Sequence, residues 1–192
     1  MSKVLSVAAA MLVLAPSAAS AMDWGSFYAE VYGGWQLPGT SDYYNSPTYY
    51  DMDAGTTAGI SFGVAATDNV DVGVDFMSTG ATYVGQTYTL SSLSAMGTVE
   101  VSMPVADMFE IYGGAGAGII KLAFDDGPSD HREGYGFGFQ ASAGARAHVT
   151  DNLSLFTEVK YQDSFGRILL SDGELAHQAT THVLVGLRVS MD

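Results

Sequence analysis

The sequence has 192 residues, of which 15% are charged, well under the roughly 25% of ordinary soluble domains, and its formal net charge is −14. Seven Lys plus Arg provide no basic face for nucleic acid and no charge-driven docking onto anionic lipid. Cysteine is absent, which excludes a disulfide framework and a thiolate metal site.

Lys3 precedes an apolar run from Val4 to Ala15, which Pro16 and Ser17 break. Ala19-Ser20-Ala21 follows with the small side chains of a cleavage site. The run is shorter than the ~20 residues of a spanning helix. Residues 1–21 are therefore expected to be a signal peptide cut after Ala21, and residues 22–192 to form one domain.

Beyond that segment, two-residue alternation replaces helical periodicity. Eight strands are predicted, at approximately 25–36, 55–66, 70–80, 88–103, 109–122, 134–149, 153–164 and 179–191. Most are longer than the ~5–6 residues of a soluble strand and reach the ~9–11 of a tilted membrane strand. Thr67-Asp68-Asn69, Pro104 to Met108 and Thr150-Asp151-Asn152 read as short turns. They alternate with longer connections at roughly 37–54, 81–87, 123–133 and 165–178. Strict alternation of short turns and long loops matches the periplasmic and extracellular sides of an outer-membrane barrel, with both termini periplasmic.

One face of each strand is apolar: Val183, Val185, Leu187, Val189 and Met191 in the last, Phe27, Ala29, Val31 and Trp35 in the first. The other face is Gly, Ser and Gln with sparse charge, a poor coat against water. That distinguishes a membrane barrel, polar inside, from a soluble lipocalin-like barrel of the same period and opposite polarity. The lumen would then hold Glu30, Asp71, Asp75, Glu100, Glu110 and Glu158 against Arg146, Lys160 and Arg188. Strand order predicts Arg188 between Glu30 and Glu158, and Arg146 between Glu158 and Glu110, in a buried ion-pair network. Gly114, Gly116, Gly118, Gly134, Gly136 and Gly138 share this face and are expected to make room for Tyr28 and Tyr32. Trp24, Phe27 and Phe109 are expected at the periplasmic interface, and Trp35, Tyr88, Tyr135 and Tyr161 at the outer one.

The first strand, Phe27-Tyr28-Ala29-Glu30-Val31-Tyr32-Gly33-Gly34, the paired Thr-Asp-Asn turns and the final Val183-Leu184-Val185-Gly186-Leu187-Arg188-Val189 resemble the small outer-membrane barrels. These include the OmpA-like transmembrane domain and the opacity-type porin-family surface proteins. The resemblance spans the chain after the leader. It implies an all-β, eight-stranded antiparallel up-and-down transmembrane barrel, monomeric, with a lumen filled by charges. It also implies outer-membrane lipid, lipopolysaccharide and the barrel assembly machinery as partners, and no nucleic acid. The last residues, Val189-Ser190-Met191-Asp192, depart from the terminal aromatic usual in that family.

The sequence is compatible with three functions. Tyr43, Tyr44, Tyr49 and Tyr50 in the first long connection suit recognition of a surface ligand, since a rigid ring brings contact area at low entropy cost. A structural or surface-interaction role carried by the loops is expected first, and a narrow channel for small solutes or cations second. A lipid-modifying enzyme is third: His177 and His182 lie near Ser164, Ser171 and Glu174, but the nearest match to a His-x-Ser pattern is His148-Val149-Thr150, at the periplasmic end. His131 with Asp125, Asp126 and Asp130 has no EF-hand spacing, so neither a metal nor a cofactor is expected.

Overall fold

The computed structural model describes residues 26–43, 50–82, 89–125 and 131–191. Its strands are β1 (Phe27–Gln36), β2 (Gly39–Tyr43), β3 (Tyr50–Met52), β4 (Gly55–Thr67), β5 (Val70–Thr82) and β6 (Thr89–Ala106). Then follow β7 (Phe109–Asp125), β8 (His131–His148), β9 (Leu153–Ser164), β10 (Ile168–Leu169), β11 (Leu175–His177) and β12 (Ala179–Met191). Eight of them close an antiparallel barrel in the order β1-β12-β9-β8-β7-β6-β5-β4, and the other four form a small sheet ordered β10-β11-β2-β3. β1 pairs with β12 on one side and β4 on the other, so the ring is complete. Lipid offers no partner to a backbone amide, and closure supplies one at every strand.

All eight predicted strands are present, and three of them, β6, β7 and β8, extend three residues beyond a predicted bound. β6 continues through Pro104 to Ala106, with the register slipping between those two residues, where proline donates no ladder bond. β7 runs on to Asp125 and β8 begins at His131. These three strands have 18, 17 and 18 residues. At ~3.4 Å per residue and ~45° tilt such a strand climbs ~40 Å, while the apolar band of an outer-membrane barrel is ~25 Å tall. The surplus stands above the membrane.

The side chains mark where the lipid stops. Along the lower part of β7, Ile111, Ala115, Ala117 and Ile119 face outward, and Glu110 and Tyr112 face the lumen. Above Ile119 the polarity inverts: Ile120, Leu122 and Phe124 are buried inside, and Lys121 and Asp125 face out. The inverted section is built like a soluble protein. Met52, Ile168, Leu170 and Ala176 of the connecting segments fold over the mouth onto Leu90, Met96, Ile120, Leu122 and Phe124. The segment after β9 follows the upper edge of β8, with Phe165 N–H donating to Phe137 O and Ser171 N–H to Glu133 O, both at 2.9 Å.

The opposite rim is held by its turns. Asn69 donates its side-chain amide to Ser102 O at 3.1 Å, while Ser102 N–H donates to Asn69 O at 2.9 Å. Asn152 repeats this with Ser190: the amide donates to its carbonyl at 2.9 Å and its N–H returns to Asn152 O at 2.9 Å. In both turns the threonine hydroxyl accepts from the asparagine N–H. Each Thr-Asp-Asn turn thus joins its own hairpin to the end of a third strand.

Candidate functional site: the lumen and its cap

The lumen is layered. Next to the periplasmic turns, the Arg188 guanidinium lies 3.8 Å over the Tyr28 ring. It reaches Asp71 at 2.5 Å, Glu30 at 3.3 Å and Glu100 at 3.6 Å. Asp71 and Glu100 are direct register partners across β5 and β6, an unfavourable pairing of like charges that Arg188 offsets. Arg146 sits over the Tyr112 ring at 4.6 Å, donates to Glu110 and Glu100, and comes within 3.6 Å of Glu30. His148 Nε2 lies 3.7 Å from Glu110.

The next layer centres on Lys160, with its ammonium 2.8 Å from Asp75 and 3.3 Å from Glu158, above the Tyr32 ring. Asp75 also accepts from Tyr32 Oη at 2.5 Å and from Gln140 Nε2 at 3.0 Å. Phe156 stands edge-on to both Tyr32 and Tyr112 and separates this layer from Arg146. Higher still the groups are neutral: Gln162 donates to Ser94 at 3.0 Å, Thr79 pairs with Ser92, and His182 pairs with Thr57 and Thr180. The apolar cap closes the top. Between the charged layers, a cavity bordered by Tyr28, Glu30, Asp75, Gln140 and Lys160 measures about 30 Å³, space for about two waters.

Glu30, Glu110, Arg146, Glu158, Lys160 and Arg188 all face this lumen, but two of the expected pairings differ. Glu158 turns to Lys160 on its own strand instead of to Arg188 or Arg146. Arg188 takes Asp71 and Glu100, and Arg146 takes Glu100 and Glu30 besides Glu110. Neighbour-strand reasoning misses these because an eight-stranded lumen is narrow enough for long side chains to cross it. The hub role of Asp75 and Glu100 has no local sequence signal; both could be read only as lumenal charges.

The glycine expectation is corrected. Tyr28 and Tyr32 fill the space over Gly59, Gly63 and Gly73, where an added Cβ would meet their hydroxyls within 2.5 Å. Gly136 and Gly138 instead make way for Ile168 and Ile120 of the cap. Tyr43 ends β2 and Tyr50 begins β3, while Tyr44 and Tyr49 lie outside the described residues. Trp35, Phe109, Tyr135 and Tyr161 are exposed on the outer wall; Trp24 and Tyr88 lie outside the described residues. Asp125 and His131 are register partners at the ends of β7 and β8, and Asp126 and Asp130 are not described. Ser164 points into the barrel, whereas His177 meets Asp163 on the outer wall at 3.0 Å, so serine and histidine are on opposite faces of β9. His182 is wholly buried between two threonines.

A closed eight-stranded barrel, apolar outside and polar inside, with short turns at one end and long connections at the other, defines a bacterial outer-membrane protein. The chain belongs to the outer membrane protein β-barrel domain family, which it matches over residues 5–188. No curated protein matches it by sequence. Among solved structures it is similar to Neisserial surface protein A, with TM-score 0.60 and 16% identity over 85% of this chain and 96% of that one. OprG from Pseudomonas aeruginosa gives 0.58 and 14%, over 88% of this chain and 97% of that one. Ail, the attachment invasion locus protein of Yersinia pestis, gives 0.51 and 13%, over 87% and 99%. At these identities the likeness is one of fold.

Proposed function

We propose that this outer-membrane barrel is non-conducting and non-enzymatic, and that its role is surface interaction and envelope integrity, carried by its extracellular end. The observation that carries this reading is the closed lumen: nine charged side chains face each other, a void of about 30 Å³ remains, and an apolar cap covers the mouth. The tall β6–β8 wall and the cap form a packed head with its own core, a rigid support for the Tyr43–Tyr50 segment to present to a ligand. In the same reading, residues 1–21 are a signal peptide cut after Ala21, and the monomeric barrel contacts lipid, lipopolysaccharide and the assembly machinery. Two fold neighbours are named a surface protein and an attachment protein, which agrees with such a role.

The test is planar-bilayer recording on the chain refolded in detergent, with heat-modifiable gel migration on the same sample. A compact, heat-sensitive band without steady conductance is expected. Replacing residues 43–50 with a neutral linker is expected to abolish binding to target cells and leave that band intact. The competing reading, a narrow cation channel, draws on the excess of lumenal acids over bases. Steady cation-selective current that disappears in Glu158→Ala would establish the channel and overturn our reading.

A further inference from the structure

The outer wall is not evenly covered. Across β1, β12, β9 and β8, one register row reads Gly33, Val185, Thr157, Ala145. The row above it is Trp35, Val183, Val159, Ala143, and the row below is Val31, Leu187, Leu155, Ala147. Over the first row and the row below it, where Gly33, Ala145 and Ala147 contribute little side chain, lies a groove of about 700 Å³ that ends against Phe109 at the start of β7. That volume is within the roughly 300–1,000 Å³ range of small-molecule sites. Among the outward-facing residues that line it only Thr157 is polar; Tyr32 and Arg146 also border it, with their side chains turned into the lumen.

Position decides the occupant. The groove is continuous with the apolar belt, so hydrocarbon reaches it laterally. It occupies the half of the wall nearest the short turns: Ala147 is one residue from the end of β8, and Leu155 is the third residue of β9. The leaflet at that height is the periplasmic one, made of phospholipid. We propose that the groove holds one acyl chain of a periplasmic-leaflet phospholipid, its ester end toward Leu155 and Phe109 and its methylenes running up past Thr157. A chain in bulk lipid is already out of water, so the groove adds close packing, which fluid neighbours do not sustain. The bound lipid therefore exchanges more slowly than the rest of the annulus.

The groove can be filled without touching the lumen. A Cβ on Gly33 would meet nothing nearer than Thr57 O at 3.6 Å, so Gly33→Leu combined with Ala145→Leu occupies the space from outside. Gly113→Leu is the control, equally open at 3.7 Å and outside the groove. Each barrel is refolded into phosphatidylethanolamine–phosphatidylglycerol vesicles and extracted into mild detergent, and retained phospholipid is counted by native mass spectrometry. Heat-modifiable migration confirms folding. Wild type and Gly113→Leu are expected to keep one phospholipid per barrel, and the filled variant severalfold less. Equal retention by all three would overturn the proposal. So would efficient disulfide dimers of Gly33→Cys in a chain without other cysteines, since the groove would then be covered by a second copy.

Discussion

Lys160 is the residue on which the lumen most depends. It is 4% exposed and is the only base that contacts Asp75 or Glu158 among the described residues. Removing one partner of a buried pair strands the other charge, at a cost of about 3–5 kcal/mol. Lys160→Met is therefore expected to lower the urea midpoint of the refolded barrel sharply, while Lys160→Met with Asp75→Asn recovers part of the loss. If the single and double variants unfold at the same urea concentration, Asp75 is not the group left stranded. Half-exposed Lys121, which meets Glu133 at the outer wall, is the contrasting case: Lys121→Met is expected to change stability by less than about 1 kcal/mol. The nine lumenal charges were legible in the sequence because alternation fixes which face a side chain takes. Their pairing was not, since Arg188 reaches Asp71 across the lumen, from a strand three places away in the ring.

At the scale of the element, the turns and the tall strands carry different lessons. Asn69 and Asn152 each donate a side-chain bond to a third strand and share no partner. Replacing either with Ala is expected to cost about 0.5–1.5 kcal/mol, and replacing both about the sum. Denaturant titration of the single and double variants measures that additivity. Both turns stand out in the sequence because they repeat three residues. The upper ends of β6–β8 do not, for a physical reason. Once Ile120, Leu122 and Phe124 turn inward beside outward Ile119, Lys121 and Ala123, the alternation changes sign within one strand, and the point where the strand ends loses its two-residue signal. What orders that section is the cap, whose chemistry comes from residues about fifty positions away. Ile168→Ala is accordingly expected to loosen the head by about 2–5 kcal/mol and speed proteolysis within residues 165–178, while the compact gel band persists.

For the whole molecule, cap and charges are two separate seals. The cap core includes no lumenal carboxylate, and the Arg188 and Arg146 clusters lie at the other end of the barrel. Replacing residues 166–177 with a short Gly-Ser turn is expected to leave conductance near zero, with current appearing only when Lys160→Met is added. Bilayer recording of the two variants separates the seals; current through the first alone would make the cap the only gate. A different consequence follows from where the two asparagine clasps sit. One ties β4 and β5 to β6 and the other ties β8 and β9 to β12, four strands apart in a ring of eight. A hoop gripped at diametrically opposed points resists flattening into an ellipse. The seam between β1 and β12 lies on the arc between those grips, so the first and last strands pair along a line whose spacing the clasps have already set.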